Sequence, residues 1–129
     1  MNCMELVKVA EAMVAEGKGI LAIDESTGTC KKRFDSIGVE CTADTRRQYR
    51  EMLLSTPGLG QHVSGAILFD ETLRQSTAAG VTLVAVMQEA GILPGIKVDT
   101  GAHPLAGHPG EKVTEGLDRL RDRLGEYVS

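Results

Sequence analysis

Gly19-Ile20-Leu21-Ala22-Ile23-Asp24-Glu25-Ser26-Thr27-Gly28-Thr29 is a short apolar run that ends in two carboxylates and a cluster of hydroxyl and glycine residues. A run too short for a helix and bounded by glycine and polar residues reads as a strand buried on both faces, as in parallel sheets. Strands of that kind present their polar side chains past their C-terminal ends. Cys30-Lys31-Lys32-Arg33-Phe34 follows and can open a helix. A strand, a hydroxyl-rich turn and a helix N-terminus together form a candidate anion site, because free backbone N–H groups and the helix dipole both favour negative charge. A capped helix with a solvated basic face has the same pattern.

The apolar run recurs. Residues 63–69 form a second one, with Gly65 inside, and it too ends in acids, Asp70-Glu71. Residues 92–99 give a third, with Pro94 confining its start to an edge or irregular position. Between these runs the periodicity is helical. Residues 2–16 place Met4, Val7, Val9, Ala10, Met13 and Val14 near one face, and Gly17 stops them. Residues 28–37 read as a short basic helix ended by Gly38, and Thr42-Ala43-Asp44 supplies caps for a helix to about residue 55 with an apolar stripe of Tyr49, Met52 and Leu53. Residues 71–76 read as a short helical piece. Residues 83–89 read as helix, with strand as the alternative because of their β-branched content. Gly and Pro make residues 100–112 a long loop or a poor hairpin, and Leu117, Leu120, Leu124 and Tyr127 or Val128 recur at helical spacing after it.

Strands alternating with helices imply right-handed crossovers and a parallel sheet, hence an α/β fold. Three parallel strands cannot close a barrel. The chain therefore reads as one domain over residues 1–129, either a small α/β sandwich with an open edge or the first part of a barrel. With 42% apolar and 25% charged residues it is globular, and with 3% aromatic residues and no Trp its core is aliphatic. A net charge of −4 argues against nucleic acid as a partner. No apolar stretch approaches the roughly 20 residues of a membrane helix. Cys3, Cys30 and Cys41 share no metal or redox spacing, so free thiols and a cytoplasmic setting are expected.

Asp24 and Lys97 stand out, each at the C-terminal end of an apolar run. A lysine among apolar neighbours is either an amine held for chemistry or a cation held for an anion; the competing reading is an edge lysine extending its amine to solvent. Ser26, Thr29 and Arg33 could meet a phosphate at the helix start, or merely cap and solvate it. On a strand, adjacent Asp24 and Glu25 point to opposite faces. His62, His103 and His108 have no ligand spacing, so no metal is expected. Gly107-His108-Pro109-Gly110 lacks the lysine and hydroxyl of a phosphate loop.

The block Gly17-Lys18-Gly19-Ile20-Leu21-Ala22-Ile23-Asp24-Glu25-Ser26-Thr27-Gly28-Thr29, with Lys32-Arg33 and Arg46-Arg47-Gln48-Tyr49-Arg50, resembles the N-terminal part of class I fructose-bisphosphate aldolase. So, in the same order, do Ser64-Gly65-Ala66-Ile67-Leu68-Phe69-Asp70-Glu71-Thr72-Leu73, Val86-Met87-Gln88-Glu89 and Leu93-Pro94-Gly95-Ile96-Lys97-Val98-Asp99. The resemblance implies the N-terminal part of a (β/α)8 TIM barrel, about three parallel strands with covering helices. It implies reversible cleavage of fructose 1,6-bisphosphate to dihydroxyacetone phosphate and glyceraldehyde 3-phosphate, in glycolysis and gluconeogenesis, through a lysine Schiff base with no metal or other cofactor. Asp24 matches the aspartate that orients substrate and helps proton transfer. Ser26, Thr29 and Lys97 match ligands of the sugar 6-phosphate, and Arg33 a further basic residue near it. Thr29 stands where many relatives have serine, and Thr100 where a lysine is common. The Schiff-base lysine, the second active-site lysine and the acid/base glutamates lie on later strands of the family. The chain is therefore expected to be an N-terminal fragment, inactive alone, of an enzyme that forms a homo-oligomer and takes a sugar phosphate. The alternative is a non-catalytic α/β module binding a sugar phosphate or a partner chain.

Overall fold

Strand β1 (Gly19–Ile23) pairs in parallel with β2 (Val63–Leu68), and β2 pairs in parallel with β3 (Leu93–Ile96), giving the order β1-β2-β3. Ile23 stands beside Leu68 and Leu68 beside Ile96, so the three strands end in one row. The structure is a computed structural model that describes residues 3–128. They divide into two compact units, residues 3–96 and 97–128.

In the first unit the strands alternate with helices α1 (Cys3–Met13), α2 (Thr27–Asp35), α3 (Ala43–Leu54), α4 (Leu59–His62), α5 (Asp70–Leu73) and α6 (Leu83–Glu89). The caps explain the boundaries. Ser26 and Thr82 each accept a backbone N–H of the first turn, and Thr42 and Thr45 cap α3 reciprocally. The cap at Thr82 decides residues 83–89 for helix over strand. Ile23, Leu54, Ala66, Leu68, Leu83, Met87 and Ile92 form one aliphatic core between the sheet and α3 and α6. Gly65 leaves room for α1 to close on β2: a Cβ there would lie 2.4 Å from the Met13 sulfur.

Several expectations are corrected. The first strand is not buried on both faces: only Ile23 is buried, because β1 is an edge strand, whereas the central β2 buries Ser64, Gly65, Ala66 and Leu68. The first helix stops at Met13, and Met4, Val7 and Val9 on its expected apolar face are exposed; residue 2 lies outside the described residues. The inner face of α3 is Arg46, Arg50 and Leu54, while Met52 is exposed. The third strand ends at Ile96, so Lys97 follows it instead of lying within it. Pro94 is accommodated because β3 is an edge strand.

The second unit holds an antiparallel hairpin, β4 (Gly101–Pro104) with β5 (Lys112–Glu115), and helix α7 (Leu120–Tyr127). Residues 100–112 are thus built around a hairpin and not a long loop. Among the described residues no helix is long and apolar enough to cross a membrane. Cys30 and Cys41 are free thiols, and no cluster of His, Cys, Asp and Glu among the described residues could hold a metal.

Candidate active site

Asp24 and Glu25 lie just past β1, in the turn that leads to α2, and both are half-buried. The Ser26 hydroxyl accepts the Thr29 N–H at 3.4 Å, and the Ser26 and Thr29 hydroxyls lie 3.2 Å apart. The first turn of α2 carries no acid. Two hydroxyls at the N-terminus of a nine-residue helix form a donor pair suited to an anion.

Arg33 is engaged elsewhere. Its Nη1 is ion-paired with the Glu25 carboxylate, which also accepts the Tyr49 hydroxyl and Arg50 Nη2, both at 3.2 Å. The Glu25 charge holds the Arg33 guanidinium above its ordinary pKa. Burial, and then the same carboxylate, push the Tyr49 phenol up. The Tyr49 ring stands edge-on to Phe34 with centroids 5.8 Å apart, tying α2 to α3. Arg50 is 1% exposed, and every nitrogen of its guanidinium has an acceptor. Nε donates to the Ile23 carbonyl at 3.2 Å, Nη2 to the Glu25 carbonyl at 2.8 Å and Nη1 to the Cys30 sulfur at 3.2 Å.

Past β2 a parallel arrangement occurs. Arg46 donates Nε and Nη2 to the two carboxylate oxygens of Glu71 at 2.8 and 2.6 Å, a bidentate pair. Hydrogen bonding from Arg46 holds Glu71 below the ordinary glutamate range, against a smaller opposing effect of burial, and the same bonds raise Arg46. Asp70 instead pairs with Arg74 on the surface of α5 at 3.3 Å.

In the second unit Lys97 Nζ donates to Asp99 Oδ2 at 2.5 Å, and the Gly101 N–H donates to the other Asp99 oxygen at 3.0 Å. The Lys97 hydrogen bond holds Asp99 below its ordinary value. Arg123 donates to the Val98 carbonyl at 2.9 Å and to that of Gly116 at 2.6 Å, which ties the segment after Lys97 to α7.

Of the residues expected from the sequence, Ser26 and Thr29 touch, Asp24 lies two positions before Ser26, Arg33 is held by Glu25, and Lys97 lies in the second unit beside Asp99. Glu25, Arg50, Arg46 and Glu71 were not anticipated as a set. The signal for them was two arginines four residues apart, in line with Leu53 and Leu54, on a helix that follows two acid-ended apolar runs. An open cavity of about 540 Å³ between the ends of α3 and α6, lined by Leu54, Pro57, Gly60, Val86 and Glu89 among others, contains none of these residues.

Parallel strands whose polar groups gather past their C-terminal ends, with helices as crossovers, define the parallel α/β class, and here they are the N-terminal part of a (β/α)8 barrel. The family described as "Fructose-bisphosphate aldolase class-I" matches residues 5–129. A "Probable fructose-bisphosphate aldolase class 1" of Xylella fastidiosa (strain Temecula1) is 64% identical over 127 residues, 98% of this chain and 38% of the relative. "Fructose-bisphosphate aldolase 1, chloroplastic" of Chlamydomonas reinhardtii is 58% identical over 123 residues, 95% of this chain and 33% of that one. A solved structure of Plasmodium falciparum fructose-bisphosphate aldolase, in complex with TRAP and a small-molecule inhibitor, matches at a TM-score of 0.94 and 50% identity. It covers 97% of this chain and 36% of its own. The chain belongs to the class I fructose-bisphosphate aldolase family, and spans 33–38% of the length of these relatives.

Proposed function

We propose that this chain carries one side of the sugar-phosphate site of a metal-independent class I fructose-bisphosphate aldolase, as part of a single barrel domain. The reaction is reversible cleavage of fructose 1,6-bisphosphate to dihydroxyacetone phosphate and glyceraldehyde 3-phosphate, a step of glycolysis and gluconeogenesis in the cytoplasm. A lysine Schiff base supplies the electron sink: the iminium withdraws electrons from the carbon–carbon bond as it breaks. No residue of this chain is assigned that role. Asp24 orients the substrate and assists proton transfer. The hydroxyls of Ser26 and Thr29, with Lys97 and Arg33, hold the 6-phosphate, and the enzyme assembles as a homo-oligomer.

The observation that carries this reading is the Ser26–Thr29 hydroxyl pair at the start of α2, two residues past Asp24, in a chain 64% identical over 127 residues to the Xylella aldolase relative. A helix N-terminus with no acid in its first turn favours a phosphate by charge, and the hydroxyls favour it by geometry. Lys97 supports the reading as well, since it serves as the cation of an ion pair with Asp99, a place an arriving phosphate can take.

Two experiments test it. Calorimetry of the chain with fructose 1,6-bisphosphate gives binding heat that a Ser26→Ala, Thr29→Ala double variant loses; equal heats in both would refute the hydroxyl site. Joining residues 1–129 to the remainder of the Xylella relative gives a hybrid whose cleavage activity resists EDTA. In it Asp24→Asn lowers kcat by about 100-fold or more, the scale of a proton-transfer group. Borohydride with dihydroxyacetone phosphate leaves Lys97 unmodified, and an adduct there would overturn its assignment to phosphate.

A further inference from the structure

We infer that Arg50 is a positioning residue: from α3 it clamps the backbone on both sides of Asp24 and so sets the direction of the Asp24 carboxylate and of the Ser26 N–H. The inference rests on the reading of Asp24 and Ser26 given above. A guanidinium present only to balance Glu25 would need only the Glu25 carboxylate. Arg50 instead sends Nε to the carbonyl of Ile23 at 3.2 Å and Nη2 to the carbonyl of Glu25 at 2.8 Å. The first carbonyl belongs to the peptide unit that enters Asp24, and the second to the unit that contains the Ser26 N–H. The two residues between them, Asp24 and Glu25, are bracketed by held peptide planes. The third edge of the guanidinium, Nη1, meets the Cys30 sulfur at 3.2 Å in the first turn of α2, so one side chain fixes the strand end, the turn and the helix start together.

The environment makes the clamp stiff. Arg50 is 1% exposed and Glu25 is 9% exposed at its side chain, so these bonds do not compete with bulk water. Arg33 and Tyr49 hold the same carboxylate from α2 and from the neighbouring position on α3. The planar fork is the part that matters. Lysine carries the same charge to Glu25 but has a single nitrogen, which cannot meet two carbonyls and a carboxylate in the directions of a guanidinium.

The test uses the chain itself, with Arg50→Lys and Glu25→Gln, and inorganic phosphate as the probe. In Arg50→Lys, amide hydrogen exchange at residues 24–27 speeds up by about tenfold or more, while exchange at residues 66–68 in the central strand stays as it was. Phosphate affinity, read from the Ser26 and Thr29 amide shifts, falls by about tenfold in the same variant. Glu25→Gln, which removes the charge and leaves both carbonyls gripped, does not lower the phosphate affinity. Unchanged exchange and affinity in Arg50→Lys would overturn the clamp and leave Arg50 a charge balance for Glu25. If that variant does not fold, the unmodified chain decides: separate, slowly rotating guanidinium signals for Arg50 support the clamp, and one averaged signal refutes it. An unmodified chain whose Ser26 and Thr29 amides ignore phosphate would refute the phosphate reading, while exchange at residues 24–27 still decides the clamp.

Discussion

The turn after β1 and the turn after β2 are written almost alike and end differently. Each apolar strand is followed by an acidic pair, Asp24-Glu25 or Asp70-Glu71, and in each pair the glutamate is bound by an arginine of α3. After β2 the helix begins at Asp70 itself, so both acids fall in its first turn, and Asp70 is occupied in a surface pair with Arg74. After β1 the helix begins three residues later, capped by Ser26, and Asp24 stands in the turn before it. The arginines differ in the same sense. Arg46 gives its fork to a carboxylate, while Arg50 gives most of its fork to backbone. The β2 turn is a structural ion pair; the β1 turn places Asp24 ahead of its helix and the Ser26 and Thr29 hydroxyls together at the helix start.

The widest separation between the two ends comes from deleting each arginine. Arg50→Met leaves the 9%-exposed Glu25 carboxylate short of its buried partner and destabilises by about 3–5 kcal/mol. Arg46→Met leaves Glu71, which is 27% exposed and can hydrate, and costs about 1–3 kcal/mol. Urea denaturation measures both, and equal losses would dissolve the distinction. Next in size is Glu71→Gln, at about 2 kcal/mol near neutral pH. Because Arg46 holds Glu71 below its ordinary value of 4.5, the unfolded chain binds this proton first as pH falls. The stabilisation is therefore complete above that value and is lost as pH drops through the lowered one. Melting temperature against pH shows this slope in the unmodified chain and less of it in Glu71→Gln, with Asp44 and Asp99, also held low, supplying the remainder. Ser26→Ala removes a helix cap and costs about 1 kcal/mol, readable by the same denaturation. The smallest effect is Asp70→Asn, about 0.5 kcal/mol or less, because it breaks only an exposed i,i+4 pair. A larger loss there than in Ser26→Ala would reverse the ranking of the two turns.

The three parallel strands were legible because apolar runs of that length between glycines and acids have few other uses. The caps at Ser26, Thr42 and Thr82 were legible in the same way, from residue type at a boundary. Burial was less so. A strand's sequence does not say whether it lies at the edge or the centre of a sheet, which is why Ile20 and Ala22 are exposed while Gly65 and Ala66 are buried. The arginines were the deepest miss, since charged residues on a helix are ordinarily solvated and only the tertiary partners reveal that Arg46 and Arg50 face inward. Asp24, Ser26, Thr29 and Lys97 draw attention in the sequence because polar residues past a strand end are where parallel α/β sheets place their sites, but the hydrogen bonds that hold the β1 turn join positions up to 27 residues apart.

The four-residue spacing of Arg46 and Arg50 makes α3 intolerant of insertions. One residue added between them would turn Arg46 by about 100° around the helix relative to Arg50, so one acid-ended turn would lose its cation whichever arginine kept its place. Residues 56–58, exposed and outside any helix or strand, carry no such register. Length variation within this part of the barrel should therefore collect after α3 and spare its interior.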